Sequence, residues 1–174
     1  MEPVMGPDRN HDELLINLVD QYQGALLRLC FFYLHDRTLA EDAVQDTFLK
    51  AYKALPSFRG DSSAKTWLTR IAVNTCRDMR RGAWFRFTDR RVTPEDVPPA
   101  SVPPFDNSDA DALARAIIRL PVRQKEVILL YYYHDMTIRE IAETLHIHIS
   151  SVSGRLKHAL ARLRTLLEKE DAYE

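Results

Sequence analysis

Apolar residues recur along this chain at steps of three and four, the period of an amphipathic helix, and no stretch keeps the alternation of a half-buried strand. Leu15, Leu18, Val19, Tyr22, Leu26, Leu29, Cys30 and Tyr33 predict a first long helix. Thr38 and Glu41 have the spacing of a capping box, and Ala43, Val44, Thr47, Phe48, Ala51, Tyr52 and Leu55 continue a second helix from it. Pro56 through Asp61 breaks the pattern. Ser62 or Ser63 then opens a third helix, with Trp67, Leu68, Ile71, Ala72 and Thr75 inside and Arg70, Asn74, Arg77, Arg80 and Arg81 outside or at the edge.

The character changes over residues 89–108, which hold five of the nine prolines and few large apolar residues. Such a stretch neither continues a helix nor builds a core, so it reads as an extended linker. Beyond it, Ser108 or Asp109 caps a helix containing Leu113, Ala116, Ile117 and Leu120. Pro121 interrupts, and Val127, Ile128, Leu130 and Tyr131 begin the next helix.

A second capping box, Thr137 with Glu140, starts a short helix built on Ile138, Ile141, Ala142 and Leu145. After a turn of about four residues, Ile149 or Ser150 opens a helix that buries Val152, Leu156, Ala159, Leu163 and Leu166. The outward side then carries Ser151, Ser153, Arg155 and His158. This is a helix-turn-helix pattern, with the short polar and basic side chains that a major-groove reader turns to base edges and phosphates. The expected fold is all-α, with two small helical domains at 12–88 and 109–170, a tail at 1–11 and the proline-rich linker between. The second is a four-helix domain containing the helix-turn-helix.

A hydrophobic content of 45% suits packed cores, and 28% charged residues suit a solvated surface. The formal net charge of −1 hides a segregation. Nine basic residues stand against three acidic ones between Arg59 and Arg91, while Asp36, Glu41, Asp42 and Asp46 cluster just upstream with only Arg37 among them. An acidic surface beside a basic one points to two different partners, the basic one binding phosphate. The first ten residues lack the pattern of a secretion signal, and no apolar run approaches membrane-spanning length, so the expectation is a cytoplasmic protein without membrane insertion. Cys30 and Cys76 fall within helical apolar patterns and read as buried free thiols.

Catalytic patterns are lacking. The five glycines never group as a phosphate-cradling loop, and His146 and His148 lie in the helix-turn-helix turn without partner cysteines. The chain reads as a non-enzyme with no metal and no cofactor.

Three ordered segments resemble the extracytoplasmic-function group of bacterial RNA polymerase sigma factors, over residues 12–167. The first is Asp36-Arg37-Thr38-Leu39-Ala40-Glu41-Asp42-Ala43-Val44-Gln45-Asp46-Thr47-Phe48-Leu49-Lys50-Ala51-Tyr52, similar to the family's polymerase-binding helix. Next come Phe58-Arg59-Gly60, then Thr66-Trp67-Leu68-Thr69-Arg70-Ile71-Ala72-Val73-Asn74, ending Arg77-Asp78-Met79-Arg80-Arg81, similar to the segment that melts and reads the −10 element. The last, Leu120-Pro121-Val122-Arg123-Gln124-Lys125-Glu126-Val127-Ile128-Leu129-Leu130 with the helix-turn-helix behind it, looks like the module that reads the −35 element.

The resemblance implies a sigma factor that binds core polymerase through Asp42, Gln45, Asp46, Phe48 and Lys50. It implies −10 contacts from Arg59, Lys65, Arg70, Asn74, Arg77, Arg80 and Arg81, and −35 contacts from Ser150, Ser151, Ser153, Arg155 and His158. Promoter DNA, core enzyme and an anti-sigma factor are the implied partners, and the free protein is expected to be monomeric. Trp67, at a helical apolar position, is expected in the core rather than as a stacking platform. Two departures stand out: His146 replaces the glycine usual in the turn, and Ser153-Gly154 occupies a place where a basic residue and a helix former are usual. The rival reading is a stand-alone helix-turn-helix regulator with a sensing or dimerising first domain. An adaptor that mimics the fold, binding polymerase but not DNA, is a third.

Overall fold

Asp36, not the Thr38–Glu41 pair, starts the second helix. Its backbone is extended, and its Oδ1 accepts the Leu39 N–H at 2.9 Å. Glu41 is instead held by Arg37, whose Nε donates to Oε1 at 2.9 Å. An aspartate two residues earlier satisfies the orphan amides as well as a threonine does, so the capping box expected at Thr38 is displaced.

The computed structural model describes residues 7–86 and 108–171, and the chain divides into two units between residues 90 and 91. The sequence-predicted linker, apart from Ser108, and most of the N-terminal tail lie outside the described residues, as do Arg90 and Arg91. Among the described residues every regular element is helical.

The first unit packs α1 (Pro7–Leu34), α2 (Arg37–Ala54) and α3 (Ala64–Arg86) against one another, each touching the other two. Leu26, Leu29, Cys30 and Tyr33 of α1 meet Ala40, Ala43, Phe48 and Ala51 of α2 and Leu68, Ala72, Val73 and Cys76 of α3 in the core. Small residues on α2 let its neighbours approach closely, and the larger side chains of α1 fill the space. Thr47 and Thr69 are buried without loss because each hydroxyl donates to the carbonyl one turn back, Ala43 and Lys65, at 2.7 Å. Ser63 caps α3, its Oγ accepting the Thr66 N–H at 3.0 Å.

Helical register differs from the sequence expectation in two places. The buried side of α3 runs through Thr66, Leu68, Thr69, Ala72, Val73, Thr75 and Cys76, which rotates Trp67 and Ile71 to half-buried flanks. The periodicity misleads there because the buried Thr66 and Thr69 read as polar. Tyr52, expected on the apolar side of α2, is exposed, and its hydroxyl donates to Asp12 Oδ1 at 2.8 Å.

The second unit gathers α4 (Ser108–Ile118), α5 (Val122–Ile128) and α6 (Ile138–Leu145) around the long α7 (Ile149–Asp171). The helix begun after Pro121 runs on from α5 into a π-helical turn, Leu129–Tyr133, which ends with Tyr131, Tyr132 and Tyr133 exposed. Its core joins Ala116, Ile117, Leu120, Val127, Ile128, Leu130, Met136, Ile141, Leu145, Val152, Leu156, Ala159 and Leu163. Leu113, expected inside, is exposed.

Candidate polymerase and DNA interfaces

On α2 the core residues Ala40, Ala43, Thr47 and Ala51 occupy one side, so helical spacing turns Asp42, Gln45, Asp46 and Leu49 to the other. All four are exposed, as is Leu39 beside them. The result is an acidic face with two solvated leucines, a surface fit for a basic helix that also carries aliphatic side chains. Two expected members stand apart from this face: Phe48 is in the core, and Lys50, although exposed, is tied to the neighbouring helix. Phe48 is buried, only 7% exposed, and belongs to the packing among the three helices. Lys50 lies toward α3, where its Nζ donates to Thr75 Oγ1 at 3.0 Å. Leu39 and Leu49 are not expected from the sequence, where apolar residues do not point to a solvated face. In the helix Leu49 lies opposite Thr47, and Leu39 lies at the edge of the core side, next to Asp42 and Asp46 in register.

On α3, Arg70, Asn74, Arg77 and Arg81 follow at i, i+4, i+7 and i+11 and so form one stripe. Asn74 and Arg81 are exposed, and Arg70 and Arg77 are half-buried. Arg81 pairs with Asp78 at 3.1 Å, an exposed contact of about 0.2–1 kcal/mol that a phosphate can replace. Lys65 and Arg80 stand off this stripe, Lys65 half-buried and Arg80 exposed. Arg59 is exposed in the connection at 58–63, which turns at Gly60, φ 74°. At the upper end of the stripe Trp67 stacks on Phe58, ring centroids 4.5 Å apart at 28°. Trp67 is therefore outside the core expected for it, paired with a loop aromatic beside the basic residues.

In the second unit the capping box at α6 forms as the sequence predicts. Glu140 N–H donates to Thr137 Oγ1 at 3.2 Å, and Thr137 N–H donates to Glu140 Oε2 at 2.8 Å. The turn that follows is built on His146 in the left-handed region, φ 55° and ψ 47°. Its N–H donates to Glu143 O at 3.4 Å and that of Ile147 to Ala142 O at 3.0 Å, the paired bonds of a Schellman closure. His148 O then accepts the amides of Ser151 and Val152 and starts α7.

Along α7, Ser151, Arg155, His158 and Arg162 share one stripe at i, i+4, i+7 and i+11. Ser150 lies beside it with Gly154 and Lys157. Ser153 is on the far flank, its Oγ donating to Ile149 O at 3.2 Å. Ser150, Ser151, Ser153 and His158 are exposed and Arg155 is half-buried. The five expected contacts are thus spread over a broad outward face rather than one line. Lys157, Arg162 and Arg164, all exposed on α7, extend its basic character and were not singled out in the sequence. Among the described residues no cluster of His, Cys, Asp or Glu could hold a metal ion, and no helix is long and apolar enough to cross a membrane.

A helical unit with an acidic face and a basic stripe, joined in one chain to a helix-turn-helix unit, is the make-up of a promoter-recognising initiation factor. Residues 18–86 match Sigma-70 region 2, and residues 110–163 match Sigma-70, region 4. The chain is 33% identical to the ECF RNA polymerase sigma factor SigL of Mycobacterium tuberculosis over 97% of each. It is 32% identical to the RNA polymerase sigma-H factor of Pseudomonas aeruginosa over 82% of this chain and 80% of that one. Among solved structures it resembles the sigma factor RpoE of Bartonella quintana in complex with the anti-sigma factor NepR, with a TM-score of 0.65, 25% identity, and 87% and 97% of the two chains covered. It also resembles CnrH in complex with the cytosolic domain of CnrY, with a TM-score of 0.58, 28% identity, and 94% and 91% covered.

The chain belongs to the extracytoplasmic-function group of the sigma-70 family. It is a sigma factor, a transcription initiation factor that works with core RNA polymerase on promoter DNA and performs no catalysis of its own.

Proposed function

We propose that the two units divide the work of promoter recognition, each through the outward faces described above. The face of α2 made by Asp42, Gln45, Asp46, Leu39 and Leu49 docks on a basic helical element of core polymerase. Charge complementarity speeds and orients that encounter, and the leucines add buried apolar area. Arg70, Asn74, Arg77 and Arg81 of α3, with Arg59, Lys65 and Arg80 near them, hold the phosphates of the −10 strand. The Phe58–Trp67 pair offers an aromatic surface for an unstacked base. Ser150, Ser151, Arg155 and His158 of α7 face the −35 major groove, and Ser153 faces its edge.

Control by an anti-sigma factor belongs to the same reading, supported by the Bartonella quintana relative, which was solved with one bound. The site of action is the cytoplasm, where polymerase and promoter are. The observation that carries the reading is the placement of an acidic face and a basic stripe on adjacent helices of one small unit. Run-off transcription tests it. Purified protein added to core polymerase should start transcripts at discrete promoters, and Asp46→Arg should reduce this together with core binding. A protein that binds operator DNA alone and leaves core polymerase inactive would instead be a stand-alone regulator.

A further inference from the structure

Gly154 stands inside α7 as its sixth residue, counted from Ile149. Glycine weakens a helix interior relative to alanine, because it surrenders more backbone freedom and brings no side chain to pack. The usual compensations are missing. Gly154 does not have the positive φ that Gly60 has, and α7 continues unbroken to Asp171. A Cβ built at Gly154 would meet, among the described residues, no atom within 4 Å beyond its chain neighbours and the adjoining backbone of its own helix, so no neighbouring element requires the space. Nothing among the described residues of the second unit accounts for this glycine.

Its surroundings on the outward face suggest what does. Ser150 and Ser151 lie one turn before it, and Lys157 and His158 one turn after, all exposed. A serine hydroxyl reaches only a short way from its helix. Two serines can touch base edges only if the helix axis lies deep in the groove, whereas lysine and arginine reach phosphates from further out. A missing side chain between them removes the bulk that would hold the backbone away.

We propose that Gly154 is the point of closest approach between α7 and the −35 duplex, and that it sets the depth at which Ser150 and Ser151 read bases. The inference rests on the reading of α7 as the groove helix, and its test separates the two. Full-length Gly154→Ala and Gly154→Leu, each assembled with core polymerase, are compared with the parent on one duplex. That duplex carries the −35 sequence the parental holoenzyme enriches most from a randomised library. Free Gly154→Ala should melt a few degrees higher than the parent, since a helix former replaces glycine without a clash. Its holoenzyme should nonetheless bind the duplex at least about fivefold more weakly, and Gly154→Leu more weakly still.

Arg155→Ala and Lys157→Ala run alongside. If they weaken binding while both Gly154 variants bind like the parent, the close-approach proposal is overturned and the groove reading stands. If Arg155→Ala and Lys157→Ala also bind like the parent, α7 does not enter the groove and both readings fall.

Discussion

The ammonium of Lys50 donates to the hydroxyl of Thr75 at 3.0 Å, bridging the acidic helix α2 to the basic helix α3. Thr75 is 1% exposed, so the contact satisfies a hydroxyl that has little access to water. Lys50 is thus a strut within the first unit before it is a cation for any partner. Lys50→Met keeps most of the aliphatic stem and removes the donor, so urea unfolding should show a loss of about 0.5–1.5 kcal/mol. Affinity for core polymerase should stay at the parental value, and a marked drop in a folded variant would restore Lys50 to the interface.

Asp46 and Phe48 stand two residues apart on α2 but face opposite ways, and their variants should fail differently. Phe48→Ala opens a cavity among three helices and should lower stability by about 3–5 kcal/mol. Asp46→Arg should leave the melting curve near the parent's and weaken core association by about tenfold at low salt, less as salt rises. Titrations of both variants at two ionic strengths check the pair. Equal loss of fold and binding in Asp46→Arg would remove the electrostatic docking face.

Much of the fold was legible because amphipathic periodicity is strong here, and the start of the helix-turn-helix was legible to the residue through Thr137 and Glu140. What the sequence hid has physical causes. Helices end at His35, Asp135 and His146, each non-glycine with positive φ, so the glycines that usually mark helix ends were absent. The π-helical turn at Leu129–Tyr133 shifts the register within an apolar run that looks uniform. Thr66 and Thr69, buried on α3, read as polar in the sequence, and the apolar pattern therefore turns Trp67 inward. Leu39 and Leu49 are apolar and do not mark a solvated face by type, and Lys157 lies off the stripe of Ser151, Arg155 and His158, so the finished helices add all three to the outward faces.

The cap of α2 gives a direct comparison. Asp36→Ala removes the side chain that accepts the Leu39 amide and should lower stability by about 1 kcal/mol. Thr38→Ala should change it by no more than a few tenths, because Thr38 is exposed inside the first turn. Chemical denaturation of both variants settles which residue caps the helix, and the reverse ranking would return the role to Thr38.

Cys30 and Cys76 are both fully buried where α1 meets α3. The hydrogen bond to Cys76, followed by burial, pushes the Cys30 thiol well above the usual cysteine range. The thiolate is the nucleophile, so Cys30 should be unreactive at neutral pH. Iodoacetamide with mass spectrometry should find Cys30 unmodified in the folded protein and alkylated in urea. Labelling of Cys30 in the native protein at the rate of a free thiol would show that the first unit opens readily.

His146 closes α6 in a left-handed conformation, which a side chain with a Cβ adopts at a penalty of roughly 1–2 kcal/mol. Glycine removes that penalty but gives up additional freedom on folding, so the net gain for His146→Gly should be about 0.5–1 kcal/mol. The backbone bonds of the closure, Ile147 to Ala142 and His146 to Glu143, do not involve the imidazole and should persist. For a unit of this size the change corresponds to a melting temperature about 2–8 °C higher. His146→Ala separates the causes, because alanine keeps the Cβ strain while losing the ring, so it should not share the gain. If both variants melt below the parent, the imidazole makes a stabilising contact that outweighs the strain. If glycine alone gains, the histidine is kept against the preference of the fold, and promoter affinity of His146→Gly becomes the measurement that shows what it serves.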